Sequence, residues 1–291
     1  MPKAAIRSIT LSRQIVKNCG GSRAELRQPF GPKSRLNPVP SVVQPPPMVA
    51  GEPARMNLED IQKLPGMLSN SEVEGLFLLG QFNECQGVIV EIGSWKGKST
   101  VALALGAAKA HDEKIYAIDP HSVMPEEKYL TDTKAEFLNN LRMAGVADRV
   151  VPMFMTSEAA AQGWQKPLRL LWIDGDHRYA SAKLDFLLWE PYLVEGGILA
   201  MHDTIRKPGP KRVLWEQVFR SNRFQEIAII DNLTAVRKVR NASTSALLNK
   251  YATLALRGVY IAARKSHVPH SKEFGRRVLR RLTAQPWLRE N

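Results

Sequence analysis

The chain has 291 residues, 44% of them hydrophobic, which is enough for one large or two small domains with a sizeable core. No run approaches the ~18 apolar residues of a membrane-spanning helix, and the N-terminus lacks the apolar centre of a secretory signal. The net charge of +13 sits at the ends: residues 1–55 carry nine Lys and Arg against two acids, residues 241–291 ten against two, and residues 56–240 are nearly neutral with 22 against 24. That distribution argues against a specific nucleic-acid partner for the centre. Two distant cysteines, Cys19 and Cys85, offer neither a disulfide framework nor zinc-ligand spacing, so a reducing, cytoplasmic location is the expectation.

Residues 1–55 combine scattered basic residues with Pro38, Pro40, Pro45, Pro46 and Pro47 and have no sustained hydrophobic period, which reads as a basic mobile arm. Their acid-free start as far as Ala24, with Arg7, Ser8, Ser12, Arg13 and Lys17, leaves an organelle transit peptide as the alternative. Leu76, Leu78, Leu79 and Phe82 predict a helix over 71–82. From Gly87 onward short apolar runs alternate with amphipathic segments. The runs predict strands at 88–92, 115–118, 150–154, 170–173 and 198–201, with helices at 99–110, 131–144, 158–163 and 179–192 between them. A helix over 211–221 precedes two more runs, 226–230 and 234–239, at hairpin spacing, so the last strand should be antiparallel to its neighbour. The fold class is therefore α/β, a doubly wound, mostly parallel seven-stranded sheet with helices on both faces. The organisation is an arm (1–55), a central domain (56–240) and a basic helical extension (241–291).

In such a sheet ligands gather at the carboxyl ends of the strands. The first strand ends in Glu91-Ile92-Gly93-Ser94-Trp95-Lys96-Gly97-Lys98-Ser99, a glycine-containing turn onto a helix N-terminus. It is not GxGxxG, and it is not a Walker loop, because Ile92 stands where that loop needs Gly and a Glu would repel phosphate. Taken alone, Gly93 and Gly97 also fit an ordinary strand-to-helix turn. The second strand ends at Asp119, an acceptor-only side chain suited to a ribose diol.

Two further strand ends carry Asp174-Gly175-Asp176-His177 and His202-Asp203-Thr204. Neighbouring parallel strands lie about 5 Å apart, so these groups can converge. Close carboxylates need a proton or cation to offset them, and oxygen with some imidazole suits Mg²⁺ or a similar ion, which would acidify a bound hydroxyl. An imidazole, with its ordinary pKa near 6.5, is suited to take the remaining proton. Structural alternatives stand beside these readings: Asp176 as a helix cap, His202 as a hydrogen-bonded core histidine, Trp95 and Trp164 as packing, and His267 and His270 as loop residues.

Taken together, Glu91-x-Gly93-x-x-x-Gly97, Asp119 in register and Ile173-Asp174-Gly175-Asp176-His177 resemble class I S-adenosylmethionine-dependent methyltransferases. The branch is that of macrolide-sugar and other small-molecule O-methyltransferases and cephalosporin-hydroxylase-like proteins, and the resemblance spans about 76–240. It implies S-adenosylmethionine bound at Glu91, Gly93, Ser94, Gly97, Asp119, Thr156, Ser157 and Asp174, with Glu91 and Gly93 near the methionine part, Asp119 on the ribose and the 155–157 turn beside the adenine. It further implies a divalent metal, Mg²⁺ or similar, at Asp174, His202 and Asp203, and His177 as the base. His202-Asp203 departs from the Asp-Asn or Glu-Asp common in that branch.

The 246–264 segment has helical character with Lys250, Arg257 and Arg264 seven apart, and Arg276, Arg277, Arg280 and Arg281 surround two apolar residues. Such basic helices suit an anionic membrane surface; a solvated helix packed on the core, or a homo-oligomer contact, is the alternative. The function read from the sequence is metal-assisted methylation of a small-molecule hydroxyl, on a sugar or natural-product-like acceptor. The alternatives are a nucleic-acid methyltransferase and a non-catalytic binding module on the same fold.

Overall fold

The computed structural model describes residues 56–110, 113–121, 133–265, 273–275, 277 and 285–288. The expected basic arm, His267, His270 and Arg276, Arg280 and Arg281 lie outside these residues. Seven strands, β1 (Val88–Ile92), β2 (Ile115–Ile118), β3 (Val150–Met153), β4 (Leu168–Ile173), β5 (Leu193–Met201), β6 (Phe224–Ile230) and β7 (Leu233–Lys238), form one sheet in the order β3-β2-β1-β4-β5-β7-β6. The first five pair in parallel, and β7 is antiparallel to both β5 and β6. Chain order reverses between β1 and β4, which puts the switch point over β1. The hairpin of the last two strands forms as its spacing predicts, yet β7 takes the inner place beside β5.

Alternation along the strands feeds two apolar layers. On one face Ile89, Ile115, Leu170, Trp172 and Ala200 pack with residues of α1 (Leu58–Lys63), α2 (Asn70–Gln81), α3 (Lys98–Ala110) and α4 (Thr133–Met143). On the other, Val90, Ile92, Leu171, Ile173 and Met201 meet α5 (Ser157–Ala161), α6 (Tyr179–Trp189), α7 (Pro208–Val213) and the π-turn Leu214–Phe219. The helix predicted over 179–192 tightens into a 3₁₀ turn at Glu190–Tyr192, where Pro191 has no N–H to continue the α ladder. Trp287, near the end of the chain, is buried in the first layer, edge-on to Phe82 with centroids 6.4 Å apart.

The helix predicted over 71–82 begins at Asn70, and Ser69 caps it. Its hydroxyl accepts from Glu72 N–H while the Glu72 carboxylate accepts from Ser69 N–H, a capping box. The long C-terminal helix α8 (Thr244–Lys265) forms as expected, but Lys250 and Arg257 face inward. Lys250 donates to the Ser221 carbonyl and Arg257 to the Thr204 carbonyl, and both side chains are buried. Its exposed face carries Leu248, Tyr251 and Val259. The heptad spacing of the cations is real; what turns them in is the supply of unpaired carbonyls at the ends of the π-turn and β5. Among the described residues, no helix is long and apolar enough to cross a membrane.

Candidate functional site

The turn after β1 is held by backbone contacts with both neighbouring strands. Gly93 N–H donates to the Ile118 carbonyl (2.9 Å), and Asp174 N–H donates to the Ile92 carbonyl (2.8 Å), so the ends of β2, β1 and β4 are laced together. Gly93 has φ +87°, and a Cβ there would lie 2.2 Å from the Asp174 carbonyl oxygen. The glycine is therefore demanded by the close approach of β1 and β4, besides leaving bare backbone at the pocket. Gly97 (φ +85°) closes the turn by donating to the Ser94 carbonyl at 2.7 Å.

Between the glycines, Trp95 is held at φ +41°, a conformation that costs a non-glycine residue about 1–3 kcal/mol. Its N–H is compensated by Asp119 Oδ2 (2.8 Å), while Asp119 Oδ1 accepts from His121 N–H (2.7 Å). Each oxygen of this half-buried carboxylate keeps a further lone pair, so Asp119 is oriented by the backbone and still able to accept from a diol.

Glu91 has no exposed surface. Its two oxygens accept from Ser99 Oγ and Thr100 Oγ1 (both 2.5 Å), and burial pushes its pKa up to about 8 against the pull of those hydroxyls. It ties the strand end to the first turn of α3, and acts on the pocket through that turn. Ser94 is also buried, and its Oγ has no hydrogen-bond partner among the described residues. Thr156 caps α5 by accepting from Ala159 N–H (3.3 Å), and the Ser157 hydroxyl donates to Asp185, whose pKa burial raises to about 6. Trp164 packs edge-on against Tyr116 and Trp189, the packing role that stood as its alternative.

Beyond β4 and β5 the arrangement is ionic. Asp174 Oδ1 is 3.1 Å from His202 Nδ1, and His202 Nε2 is 3.3 Å from Glu72 Oε1. On the other side of Asp174, His177 Nε2 lies 3.8 Å from its Oδ1 and 3.3 Å from Asp203 Oδ2. The result is an alternating row: Glu72, His202, Asp174, His177, Asp203. His202 is buried against the Trp172 ring, 5.8 Å between centroids. Burial alone would lower its pKa, but Asp174 and Glu72 outweigh burial and raise it to about 10. Burial would likewise raise Asp174 and Glu72, and the adjacent imidazoles bring both below the ordinary carboxylate range. Asp176 stands outside the row. It accepts from Arg178 N–H and Ser181 Oγ at the start of α6, so the helix-start reading describes its contacts.

The residues around the first turn fit S-adenosylmethionine. Asp119 is poised for two hydroxyls, and the orphaned Ser94 Oγ sits in the turn itself, where a polar ligand atom would satisfy it. The set Asp174, His202 and Asp203 does not fit a divalent cation. Both His202 nitrogens face carboxylates and act as donors, leaving no lone pair for a metal, and the imidazolium already supplies the positive charge between Asp174 and Glu72. Among the described residues, no group of three His, Cys, Asp or Glu is placed to hold an ion.

Glu72 is the member of the row that sequence reasoning missed. Ser69-Asn70-Ser71-Glu72 carries the capping-box signature, which locates the carboxylate at a helix start. Only the sheet order brings that helix start to β5.

Residues 90–204 match the family described as methyltransferase domain. Among solved structures, the chain is similar to the O-methyltransferase NovP, 19% identical with a TM-score of 0.50 over 59% of this chain and 81% of that one. It is also similar to cofactor-bound Rv0187 from MTB (20% identity, TM-score 0.48, 63% and 87% covered). An O-methyltransferase from Bacillus cereus in complex with SAH gives 18% identity and a TM-score of 0.48, with 62% and 90% covered. The likeness to NovP, at 19% identity, is one of fold.

Proposed function

We propose that this protein transfers the methyl group of S-adenosylmethionine to a hydroxyl oxygen of a small molecule. The observation that carries the reading is the placement of two unlike halves on either side of β1. The carboxylate Asp119 is held for a diol beyond β2, and an imidazole between carboxylates stands beyond β4. When bound, the cofactor supplies an electrophilic methyl carbon on a sulfonium. Asp119 and the Gly93–Gly97 turn fix its position, which is catalysis by alignment.

His177 is the group placed to take the acceptor's proton. Its Nε2 faces Asp203 and Asp174, so the tautomer that donates from Nε2 leaves the Nδ1 lone pair as the base. His177 would take the proton that the acceptor hydroxyl gives up on methylation. Asp203 and Asp174 stabilise the imidazolium so formed, the role of an orienting carboxylate beside a catalytic histidine.

The test begins with isotopically labelled cofactor incubated with cell extract, where mass spectrometry names the methylated product. With that product's precursor as substrate, His177→Gln should lower kcat by about 10²–10⁴-fold while S-adenosylhomocysteine affinity, read by calorimetry, stays unchanged. Failure of the wild-type chain to bind S-adenosylmethionine or S-adenosylhomocysteine would remove the proposal altogether.

A further inference from the structure

Helix α8 lies outside the segment that matches the methyltransferase family, and its amphipathicity is inverted. Between Thr244 and Ala262 the sequence has two charged residues, Lys250 and Arg257; they are 3% and 5% exposed and donate to the Ser221 and Thr204 carbonyls. Leu248, Tyr251 and Val259 are 66%, 60% and 67% exposed, and Ala252, Ala255, Gly258 and Ala262 are exposed with them. At about 100° per residue all of these fall within an arc of about 120° centred on Ala255. No charged side chain interrupts that arc, which makes it a continuous apolar face rather than scattered surface residues.

Gly258 is a second observation on the same face. A glycine inside a helix is disfavoured relative to alanine, yet a Cβ built on this one would meet nothing within 4 Å. No described residue uses the space that the missing side chain leaves. Its use is the close approach of a backbone from outside.

Charge narrows the occupant. An anionic membrane surface or a nucleic acid is held by exposed cations, and here Lys250 and Arg257 are turned away from the face. The face does match itself. In an antiparallel pair with its two-fold axis at Ala255, that residue meets its own copy, Gly258 meets Ala252, Val259 meets Tyr251 and Ala262 meets Leu248. Each larger side chain then falls opposite a smaller one, and the backbones can close at the centre. From Leu248 to Ala262 such a contact runs about 21 Å. One helix face of that length is at the small end of specific interfaces, which suits a dimer of roughly micromolar Kd. We infer that α8 is an interface between two copies of this chain, packed antiparallel about a two-fold axis at Ala255.

The test is sedimentation equilibrium on the full chain from about 1 to about 100 µM, over which the wild type should pass from monomer to dimer. Ala255→Glu sets two carboxylates against each other on the axis and should weaken the dimer about tenfold or more. Asn249→Glu, exposed but off the apolar arc, should dimerise as the wild type does, and both variants should keep its thermal unfolding midpoint. The axis is tested by oxidation in a Cys19→Ser, Cys85→Ser background. Ala255→Cys should give a disulfide-linked dimer, and Leu248→Cys should not, because its own copy lies about 21 Å away along the helix pair. A chain that stays monomeric to about 100 µM would overturn the inference, as would a dimer that Ala255→Glu leaves intact. A monomer that instead cosediments with phosphatidylcholine–phosphatidylglycerol vesicles would overturn it in favour of a lipid surface. Cross-linking at both cysteine positions, or at neither, would overturn the two-fold axis.

Discussion

The two halves of the site are built from different physics. Beyond β1 and β2 the groups are set by backbone: glycines at positive φ, N–H donors from Trp95 and His121 on Asp119, and hydroxyls on a buried Glu91. Beyond β4 and β5 they are set by charge, an alternating row of three carboxylates and two imidazoles drawn from three separate segments. A site fixed by backbone geometry tolerates little change in shape. One fixed by paired charges should tolerate shape changes but fail when a charge is removed.

The largest expected effect tests the geometric half. Gly93→Ala places a methyl 2.2 Å from the Asp174 carbonyl oxygen at φ +87°, and should cost more than about 3 kcal/mol in urea denaturation as β1 and β4 are pushed apart. A variant of wild-type stability would show that the strand ends can part without cost.

His202→Leu is the corresponding test of the charged half. It strands Glu72 as a buried carboxylate without a charged partner and leaves Asp174 with His177 alone, and should cost about 3–5 kcal/mol at neutral pH. The pH dependence sharpens it. His202's folded pKa is raised from 6.5 to about 10, so its contribution is whole below its ordinary pKa and fades as pH climbs through about 10. Glu72 and Asp174 are shifted down, so theirs is present above the ordinary carboxylate range and lost on acidification. Stability measured across pH should fall on acidification and again on the alkaline side, and His202→Leu should lose the part of the alkaline fall that extends to about pH 10.

A smaller effect separates binding from folding. Asp119→Ala should weaken S-adenosylhomocysteine by about 10–100-fold in calorimetry, the worth of one or two hydrogen bonds to a charged acceptor. Stability should drop far less than in Gly93→Ala.

The smallest concerns Glu91. Burial raises its pKa from 4.5 to about 8, so the folded state holds the proton more tightly than the unfolded chain, and stability declines as pH rises through about 8. Glu91→Gln should change stability by no more than about 1 kcal/mol at pH 6 and flatten that decline. An unchanged pH profile in the variant would mean the carboxylate is ionised without penalty.

Legibility in the sequence followed the range of each interaction. Strands β1 and β2 are found where the apolar runs begin and end, because burial on both faces makes the run itself the strand. Gly93, Gly97 and Asp119 were legible for the same reason, since a turn and a strand end are properties of a few consecutive residues. The direction faced by Lys250 and Arg257 was not, because heptad spacing says that two side chains share a face of α8 and nothing about where that face points. Nor were the partners of His202. A histidine after a strand can be a ligand, a base or a buried cation, and the choice rests on Glu72, 130 residues away.

The sequence by itself determined the alternation of strand and helix, the glycine turn, the position of Asp119 and the hairpin at the end of the sheet, because each is written within one stretch of chain. Only the tertiary structure decided that β7 lies inside β6, that Glu72 neutralises His202, and that the Asn232 N–H is brought onto Glu72. Those outcomes depend on which strand ends become neighbours, and electrostatic pairing and desolvation are set by that proximity.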